Sequence, residues 1–252
     1  MTKAFVFDAY GTLFDVQSVA DATEAAFPGH GEIITQIWRM KQLEYSWLRS
    51  MMGAYEDFWA VTRQSLAYTL RVLGLEARPE LLDAIAATYN SLTPYPEAEA
   101  ALAALSGYRR AILSNGSPAM LAQLVGNSPL APHVGDILSV DAKRAYKPDP
   151  RAYALVEERL GVRPADVVFV SSNGFDIAGA KRFGFRVARI ERAPAAAVRG
   201  EIGREIGAGA IRPATLYKAL RTQLEGLGFA PDHVVGSLAE LAALPGIAPA
   251  TD

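Results

Sequence analysis

A carboxylate that could act as a nucleophile stands near the N-terminus, at the end of a short apolar run. The run Ala4–Phe7 ends in Asp8, and Gly11 and Thr12 follow within four residues. Apolar runs rich in aromatic and β-branched residues are typical of buried parallel strands. Asp8 would then lie at the sheet edge where α/β proteins bind ligands, which makes it a candidate nucleophile. The residue two positions after Asp8 is Tyr10 and not a second acid.

Three later polar groups follow the same pattern. Ser114 and Asn115 end one apolar run, Lys147-Pro148 precedes a helical segment, and the sequence SSNGFD at 171–176 ends another run. Each group alone is typical of a turn or a helix start. Because the carboxyl ends of parallel strands meet at one edge, the groups together predict a single active site.

Short apolar runs alternate with helical segments through most of the chain. Strands are predicted at Arg110–Ser114, Asp136–Val140, Val167–Ser171, Arg186–Ile190 and His233–Val235, in addition to the first run. Helices are predicted at about Pro96–Ser106, Pro118–Gly126, Asp149–Leu160 and Phe175–Phe183. This alternation predicts an α/β fold with a parallel sheet core and helices on both faces.

The stretch Asp15–Thr93 interrupts this alternation and contains all three tryptophans. Its apolar residues recur at helical spacing, and it ends in the proline-bracketed sequence TPYP at 93–96. We expect residues 15–93 to form an all-helical cap domain and residues 1–14 and 94–252 to form the core domain. Within the core domain, residues 192–228 are rich in Ala, Gly, Arg and Pro, and we expect an additional helical excursion or a subunit contact there.

The composition excludes several kinds of function. The 252 residues carry a net charge of −2 without charge blocks, so we expect neither a nucleic-acid nor a membrane partner. The absence of cysteine excludes disulfides and thiolate chemistry, and it suits a cytoplasmic enzyme. His30, His133 and His233 are far apart and lack metal-ligand spacing. Asp8 comes too early to follow a cleaved signal peptide, and no apolar run is long enough to span a membrane.

These motifs resemble those of the haloacid dehalogenase superfamily and, within it, of the L-2-haloacid dehalogenases. The resemblance extends from about residue 3 to about residue 190 and is weaker beyond. It implies a Rossmann-like core with an inserted cap. It also implies hydrolysis of short L-2-haloacids to D-2-hydroxy acids through an aspartyl ester, with no metal or organic cofactor. The expected partners are a small 2-haloalkanoic acid and a second copy of the chain in a homodimer.

The resemblance also implies roles for individual residues. Asp8 would attack the substrate, and Asp176 would activate the water that hydrolyses the ester, with help from Ser171, Asn173 and Lys147. The implied catalytic residues are Asp8, Thr12, Arg39, Ser114, Lys147, Tyr153, Ser171, Asn173 and Asp176. The implied substrate and halide pocket comprises Tyr10, Arg39, Leu43, Phe58, Ser114, Asn115 and Phe175. Thr12, Ser114 and Ser171 are expected to hold the Asp8 carboxylate oxygens. Phe175 stands where relatives carry tryptophan, which affects the expected pocket size.

Two other functions are weighed against dehalogenation. A magnesium-dependent phosphatase of a small metabolite would need a second acid at position 10 and further acidic ligands. The chain has Tyr10 and Ser172 at these places, although Asp8 and Asp176 could in principle hold a metal. A non-catalytic binding protein on this fold would have no need to combine Asp8, Lys147 and Asp176.

Overall fold

A six-stranded sheet forms the centre of the protein, which we describe from a computed structural model over residues 1–247. The strands are β1 Ala4–Phe7, β2 Arg109–Ser114, β3 Asp136–Ser139, β4 Val167–Ser171, β5 Arg186–Ile190 and β6 His233–Val235. Their order is β3-β2-β1-β4-β5-β6, and every pair is parallel. The predicted α/β fold is confirmed, and β4, β5 and β6 have the predicted bounds.

The register places the candidate site residues side by side. Phe7 at the end of β1 pairs with Ile112 of β2 on one side and Val170 of β4 on the other. The residues that follow these three strands therefore emerge at one edge of the sheet. Both β1 and β4 are buried along their whole length, as expected for central strands covered on both faces.

The helices that alternate with the strands are α5 Ala98–Ala104, α6 Pro118–Gly126, α7 Pro150–Leu160 and α8 Gly174–Phe183. Ser117 caps α6 and Asp149 caps α7, each followed by proline at the first helical position. The bounds of α6 agree with the prediction, whereas α5 is shorter at both ends. These caps fix where the loops after β2 and β3 turn into helices.

Four helices lie between β1 and α5: α1 Ala20–Ala26, α2 Gly31–Met51, α3 Phe58–Val72 and α4 Pro79–Ala87. The predicted helical character of residues 15–93 is confirmed. Trp38 of α2 is fully buried, and its indole N–H donates to the Thr62 carbonyl of α3 at 2.9 Å. Gln42 donates to the Thr62 hydroxyl at 2.8 Å, so polar contacts fix α2 against α3.

Two further helices lie within residues 192–228: α9 Ala195–Gly207 and α10 Pro213–Leu220. Glu201 of α9 accepts hydrogen bonds from Thr215 and Lys218 of α10, which joins the two helices. Helix α10 also packs against α2. This stretch therefore reaches the helices inserted after β1. Among the helices of residues 1–247, none has the length and apolar character needed to cross a membrane.

Candidate active site

Asp8 directly follows β1 and is almost fully buried. Its backbone N–H continues the strand pairing by donating to the Val170 carbonyl at 2.9 Å. Lys147 Nζ donates to Oδ1 of the Asp8 carboxylate at 2.9 Å. Oδ2 accepts from Asn173 Nδ2 at 2.8 Å and from the Thr12 hydroxyl at 3.2 Å. Both carboxylate oxygens are thus held by donors from three different loops.

A tight turn after Asp8 brings Thr12 back to the carboxylate. Gly11 has φ +83°, a left-handed conformation that residues with a Cβ rarely adopt. The Ser172 hydroxyl donates to the Gly11 carbonyl at 2.6 Å, and the Ser172 N–H donates to Thr12 Oγ1 at 3.0 Å. The loops after β1 and β4 are therefore tied together beneath the Asp8 side chain.

Lys147 places a buried cation between two carboxylates. Its Nζ donates to Asp8 Oδ1 at 2.9 Å, to Asp176 Oδ2 at 2.8 Å and to the Leu113 carbonyl at 2.9 Å. These contacts use all three ammonium hydrogens. Burial alone would lower the pKa of Lys147, but the charges of Asp176 and Asp8 hold it above its ordinary value. The ammonium therefore stays protonated and fixes the distance between the two acids.

Asp176 lies in the first turn of α8 and is fully buried. Its Oδ1 accepts from the Tyr153 hydroxyl at 2.9 Å, and its Oδ2 accepts from Lys147. Burial raises the pKa of Asp176 to about 6, against the lowering effect of the Lys147 charge. Gly179 lets Tyr153 come this close, because a Cβ on Gly179 would lie 2.5 Å from the Tyr153 hydroxyl. A carboxylate with this pKa can act as a base near neutral pH.

The two serines at the strand ends differ from the prediction. Ser114 and Ser171 are fully buried, but neither hydrogen-bonds to Asp8. The Ser114 hydroxyl accepts the Gly116 N–H at 3.2 Å, and Ser171 accepts the Asn173 N–H at 3.1 Å. Each serine side chain thus shapes its own turn, and only Thr12 of the three predicted hydroxyls holds the carboxylate.

Asn115 supports the loop that carries the lysine. Its Oδ1 accepts the Lys147 backbone N–H at 3.0 Å, which links the ends of β2 and the segment before α7. The predicted polar residues Asp8, Thr12, Lys147, Tyr153, Asn173 and Asp176 are joined in one hydrogen-bonded network.

Arg39 of α2 is buried beside a cluster of phenols. Its Nη1 donates to Gln42 at 2.7 Å, while its Nε has no hydrogen-bond partner among residues 1–247. The hydroxyls of Tyr10 and Tyr89 are likewise buried and without partners over the same residues. The two rings lie 5.9 Å apart, and the Arg39 charge opposes the rise that burial causes in the pKa of each phenol. Buried donors without acceptors are costly, so this cluster fits a small anion.

A cavity of about 410 Å³ opens beside Asn173, between α2 and the loop after β4. Leu43 and Phe175, two of the predicted pocket residues, line it together with Trp47. The rings of Trp47 and Phe175 meet edge to face at 5.1 Å. Phe58, also a predicted pocket residue, does not line this cavity. Its buried ring packs on the Tyr10 ring, with the two ring centres 5.6 Å apart.

Several residues at this site are not among the predicted site residues. They are Gln42, Tyr89, Ser172, Gly179, Tyr217 and Arg221. The sequence draws attention to Ser172 only as a missing acid. Tyr217 and Arg221 lie in the Ala-rich stretch after β5, far from any strand end. Helical spacing does not distinguish a residue that faces the site from one in the core, so only the packing of α2 and α10 reveals them.

The carboxylates fit a magnesium ion poorly. Asp8 and Asp176 both already bind Lys147, whose ammonium occupies the position between them. Magnesium needs several oxygen ligands, with carboxylates free to bind it. The Ser172 hydroxyl, where the phosphatase alternative would require an acid, donates to the Gly11 carbonyl. Over residues 1–247, no cluster of three or more His, Asp or Glu could hold a metal ion.

The chain is similar to several proteins named as dehalogenases. (S)-2-haloacid dehalogenase of Xanthobacter autotrophicus is 60% identical over 241 residues, covering 96% of this chain and 94% of that protein. Haloacetate dehalogenase H-2 of Moraxella sp. (strain B) is 45% identical over 192 residues, covering 75% of this chain and 86% of that protein. The solved structure of L-2-haloacid dehalogenase from Xanthobacter autotrophicus with chloropropionic acid covalently bound is 59% identical. It has a TM-score of 0.92 and covers 98% of this chain and 100% of that chain.

The family model of haloacid dehalogenase-like hydrolases matches residues 2–184, well over half of the sequence. The matched segment includes the strands β1 to β4 and the network residues Asp8, Thr12, Lys147, Tyr153, Asn173 and Asp176. The chain belongs to the haloacid dehalogenase-like hydrolase family.

Proposed function

We propose that this protein hydrolyses short L-2-haloacids to D-2-hydroxy acids through an ester formed on Asp8. One observation carries the proposal: the Asp8 carboxylate is held by Lys147, Thr12 and Asn173, while Tyr10 stands where a phosphatase needs an acid. Burial raises the pKa of Tyr10, which leaves it a poor proton donor to an alkoxide. Halide needs no proton to leave, so the missing acid is no obstacle to carbon–halogen cleavage.

In the first step, an Asp8 oxygen attacks Cα of the 2-haloacid from the side opposite the halogen. The carbon–oxygen bond forms as the carbon–halogen bond breaks, which inverts the carbon and releases halide. The three donors restrict the carboxylate to one orientation, and such positioning can contribute up to about 7–11 kcal/mol to lowering a barrier. Lys147 pairs the buried carboxylate with a positive charge, its Nζ lying 2.9 Å from Asp8 Oδ1.

The cluster of Arg39, Tyr10 and Tyr89 is suited to receive the halide. Its three buried donors have no partner among the described residues, and one of them belongs to a cation. A leaving halide is a small anion that would satisfy these donors in a site of low dielectric constant. The predicted role of Arg39 is therefore proposed on the basis of its burial and its free Nε.

In the second step, Asp176 takes a proton from water, and the resulting hydroxide attacks the carbonyl carbon of the Asp8 ester. The bond between the acyl carbon and the product oxygen breaks, the product oxygen takes the proton of the new carboxyl group, and the Asp8 carboxylate is restored. Asp176 then releases to solvent the proton that it took from water. Lys147 and Asn173 remain in place to stabilise the negative charge on the ester oxygen. The Tyr153 hydroxyl holds the Asp176 carboxylate in position.

A substrate assay tests the proposal directly. The purified protein is incubated with L-2-chloropropionate and with a phosphate monoester, each with and without EDTA. We expect chloride release that is insensitive to EDTA and yields the D-hydroxy acid, with no phosphate release. Magnesium-dependent phosphate release without chloride release would overturn the proposal. The D-enantiomer of 2-chloropropionate serves as the control, since attack with inversion in a fixed pocket should select one hand.

We also propose that residues 15–93 act as a cap over the core formed by residues 1–14 and 94–252, and that the protein is a homodimer. Residues 248–252 of that core lie outside the part of the chain that the structure describes. The role of residues 15–93 as a cap is supported by α2, whose residues Leu43 and Trp47 line the cavity beside Asn173. Exposed apolar side chains on α2 and α10, namely Met40, Leu216 and Leu220, support a subunit contact. Light scattering at micromolar concentration tests the dimer. The cytoplasmic location and the absence of membrane and nucleic-acid partners stay predictions of the sequence.

A further inference from the structure

Arg221 extends from the end of α10 into the network around Asp8. Its Nη2 donates to the Ser172 hydroxyl at 2.6 Å and to Asn173 Oδ1 at 3.4 Å. A Cβ on Gly11 would lie 3.2 Å from the same nitrogen, so the guanidinium also lies against the turn after Asp8. The family model ends at residue 184, which is before Arg221.

The position of Arg221 is fixed from both sides. At the end of β5, Arg189 donates to the backbone carbonyls of Arg221 and Thr222 at 3.2 and 3.1 Å. The Arg221 side chain donates through Nη1 to the Tyr217 hydroxyl at 3.3 Å. Because these contacts hold the main chain and the guanidinium, Arg221 meets Ser172 and Asn173 in one defined orientation.

The chemistry of arginine determines which way the Asn173 amide faces. Arginine has only donors, so it can contact the amide only through Oδ1. Nδ2 is then left to donate to Asp8 Oδ2 at 2.8 Å and to the Tyr10 carbonyl at 3.2 Å. A flipped amide would face a guanidinium with its NH₂ group and a carboxylate with its oxygen, and both contacts would be repulsive.

Ser172 connects Arg221 to the turn after Asp8 by a second chain of hydrogen bonds. Its oxygen accepts from Arg221, so its single hydrogen is free to donate to the Gly11 carbonyl at 2.6 Å. We infer, on the basis of the proposed function, that Arg221 is a positioning residue of the dehalogenation. It orients Asn173 toward the nucleophile and holds the turn at Gly11 through Ser172.

Arg221 also lines the cavity beside Asn173, which suggests a competing role as a ligand of the substrate carboxylate. The two roles differ in kinetics. A ligand contributes equally in the ground state and the transition state, so its loss raises KM. A residue that orients the nucleophile affects the reaction barrier, so its loss lowers kcat with little change in KM.

The test replaces the guanidinium and measures both constants with L-2-chloropropionate. We expect Arg221→Gln to lower kcat by roughly 10- to 100-fold while KM changes by less than about threefold. Arg221→Lys, which keeps a donor but not the planar fork, should recover part of the loss. Lys218→Gln removes an exposed cation from the same helix and should leave kcat unchanged, which controls for the overall charge of α10. A rise in KM without loss of kcat would overturn the inference.

A double-mutant cycle checks the route through Asn173, with the first halide released in a single turnover as the readout. In the Asn173→Ala background, Arg221→Gln should cost clearly less than it does in the wild type, because the amide that it orients is gone and only the route through Ser172 remains. Independent, multiplicative losses would overturn the inference. Wild-type protein without chloride release would refute the proposed function, whereas active wild type with an equally active Arg221→Gln variant would refute only the role of Arg221.

Discussion

Lys147 and Asp176 form an ion pair in which both side chains are fully buried and Nζ lies 2.8 Å from Oδ2. Such a pair is costly to form, because both charges leave water, and the attraction between them offsets that cost only with good geometry. Here the lysine also donates to Asp8 and to a backbone carbonyl, while the aspartate accepts from Tyr153. The pair therefore belongs to a network in which each polar group has a partner.

The pKa of Asp176, about 6, predicts that the rate of ester hydrolysis falls on the acid side of its pH profile. A general base works only when deprotonated, so the rate should fall as pH drops through this pKa and level off above it. Esterification removes the negative charge of Asp8, one of the causes that raise the pKa of Asp176. This fall should therefore lie between about pH 4 and 6. Rapid-quench measurement of ester decay checks this, and a rate independent of pH over that range would contradict the assignment.

Asp176→Asn should separate the two chemical steps. The amide keeps a similar shape but accepts no proton from water, so ester hydrolysis should slow by roughly 10²- to 10⁴-fold. Ester formation does not use Asp176 as a base, so the covalent adduct should accumulate and appear in the mass spectrum of the intact protein. Asp8→Asn is the matched control. It should give no adduct, and its rate of halide release should fall by about 10⁴-fold or more. Halide release by Asp176→Asn without an adduct would show that Asp176 has another role.

Much of this site is predictable because its residues directly follow strands. Asp8 comes after β1, Asn173 comes after β4, and Lys147 precedes α7, so the parallel topology alone brings them to one edge. The side-chain directions of Ser114 and Ser171 are not predictable in this way. Each hydroxyl accepts a backbone N–H of its own turn, and the residue pattern does not distinguish this contact from one to the neighbouring carboxylate.

Residues that reach the site from distant helices leave no local signal. Arg39 has the spacing of an ordinary surface residue on an amphipathic helix, and its burial depends on how α2 packs against α3 and α10. The same holds for Arg221, at the end of α10. The composition of this stretch predicts a helical excursion but does not predict that α10 packs against α2. Tyr153 is a buried residue of α7 whose hydroxyl donates to Asp176. The same residue therefore has the spacing of a core residue and a contact in the active site.

Replacing Lys147 by methionine should destabilise the protein as well as inactivate it. The variant leaves two buried carboxylates without their cation, and breaking a buried pair in this way costs about 3–5 kcal/mol. Urea unfolding monitored by circular dichroism measures the loss. The deficit should shrink as pH is lowered, because a protonated carboxyl needs no counter-charge. A deficit that stays constant from pH 8 to pH 5 would contradict the role of Lys147 as the shared cation.

Gly179→Ala should displace the Tyr153 hydroxyl and so remove the hydrogen bond that it donates to Asp176. The added Cβ would lie 2.5 Å from the Tyr153 hydroxyl and 2.7 Å from Pro148 Cβ, so α7 and α8 must move apart. Overpacking of this kind costs roughly 1–3 kcal/mol, and the displaced hydroxyl no longer holds Asp176. Ester hydrolysis should therefore slow more than ester formation, which rapid-quench measurement distinguishes.

Gly203→Ala in α9 is the matched control, because a Cβ there meets no atom of residues 1–247 within 4 Å. That change should instead stabilise the protein by up to about 1 kcal/mol, as alanine favours helices over glycine. Adding Tyr153→Phe to Gly179→Ala removes the closest clash, so part of the lost melting temperature should return while ester hydrolysis stays slow. If the double variant regained hydrolysis as well, the contact between Tyr153 and Asp176 would have no part in the reaction.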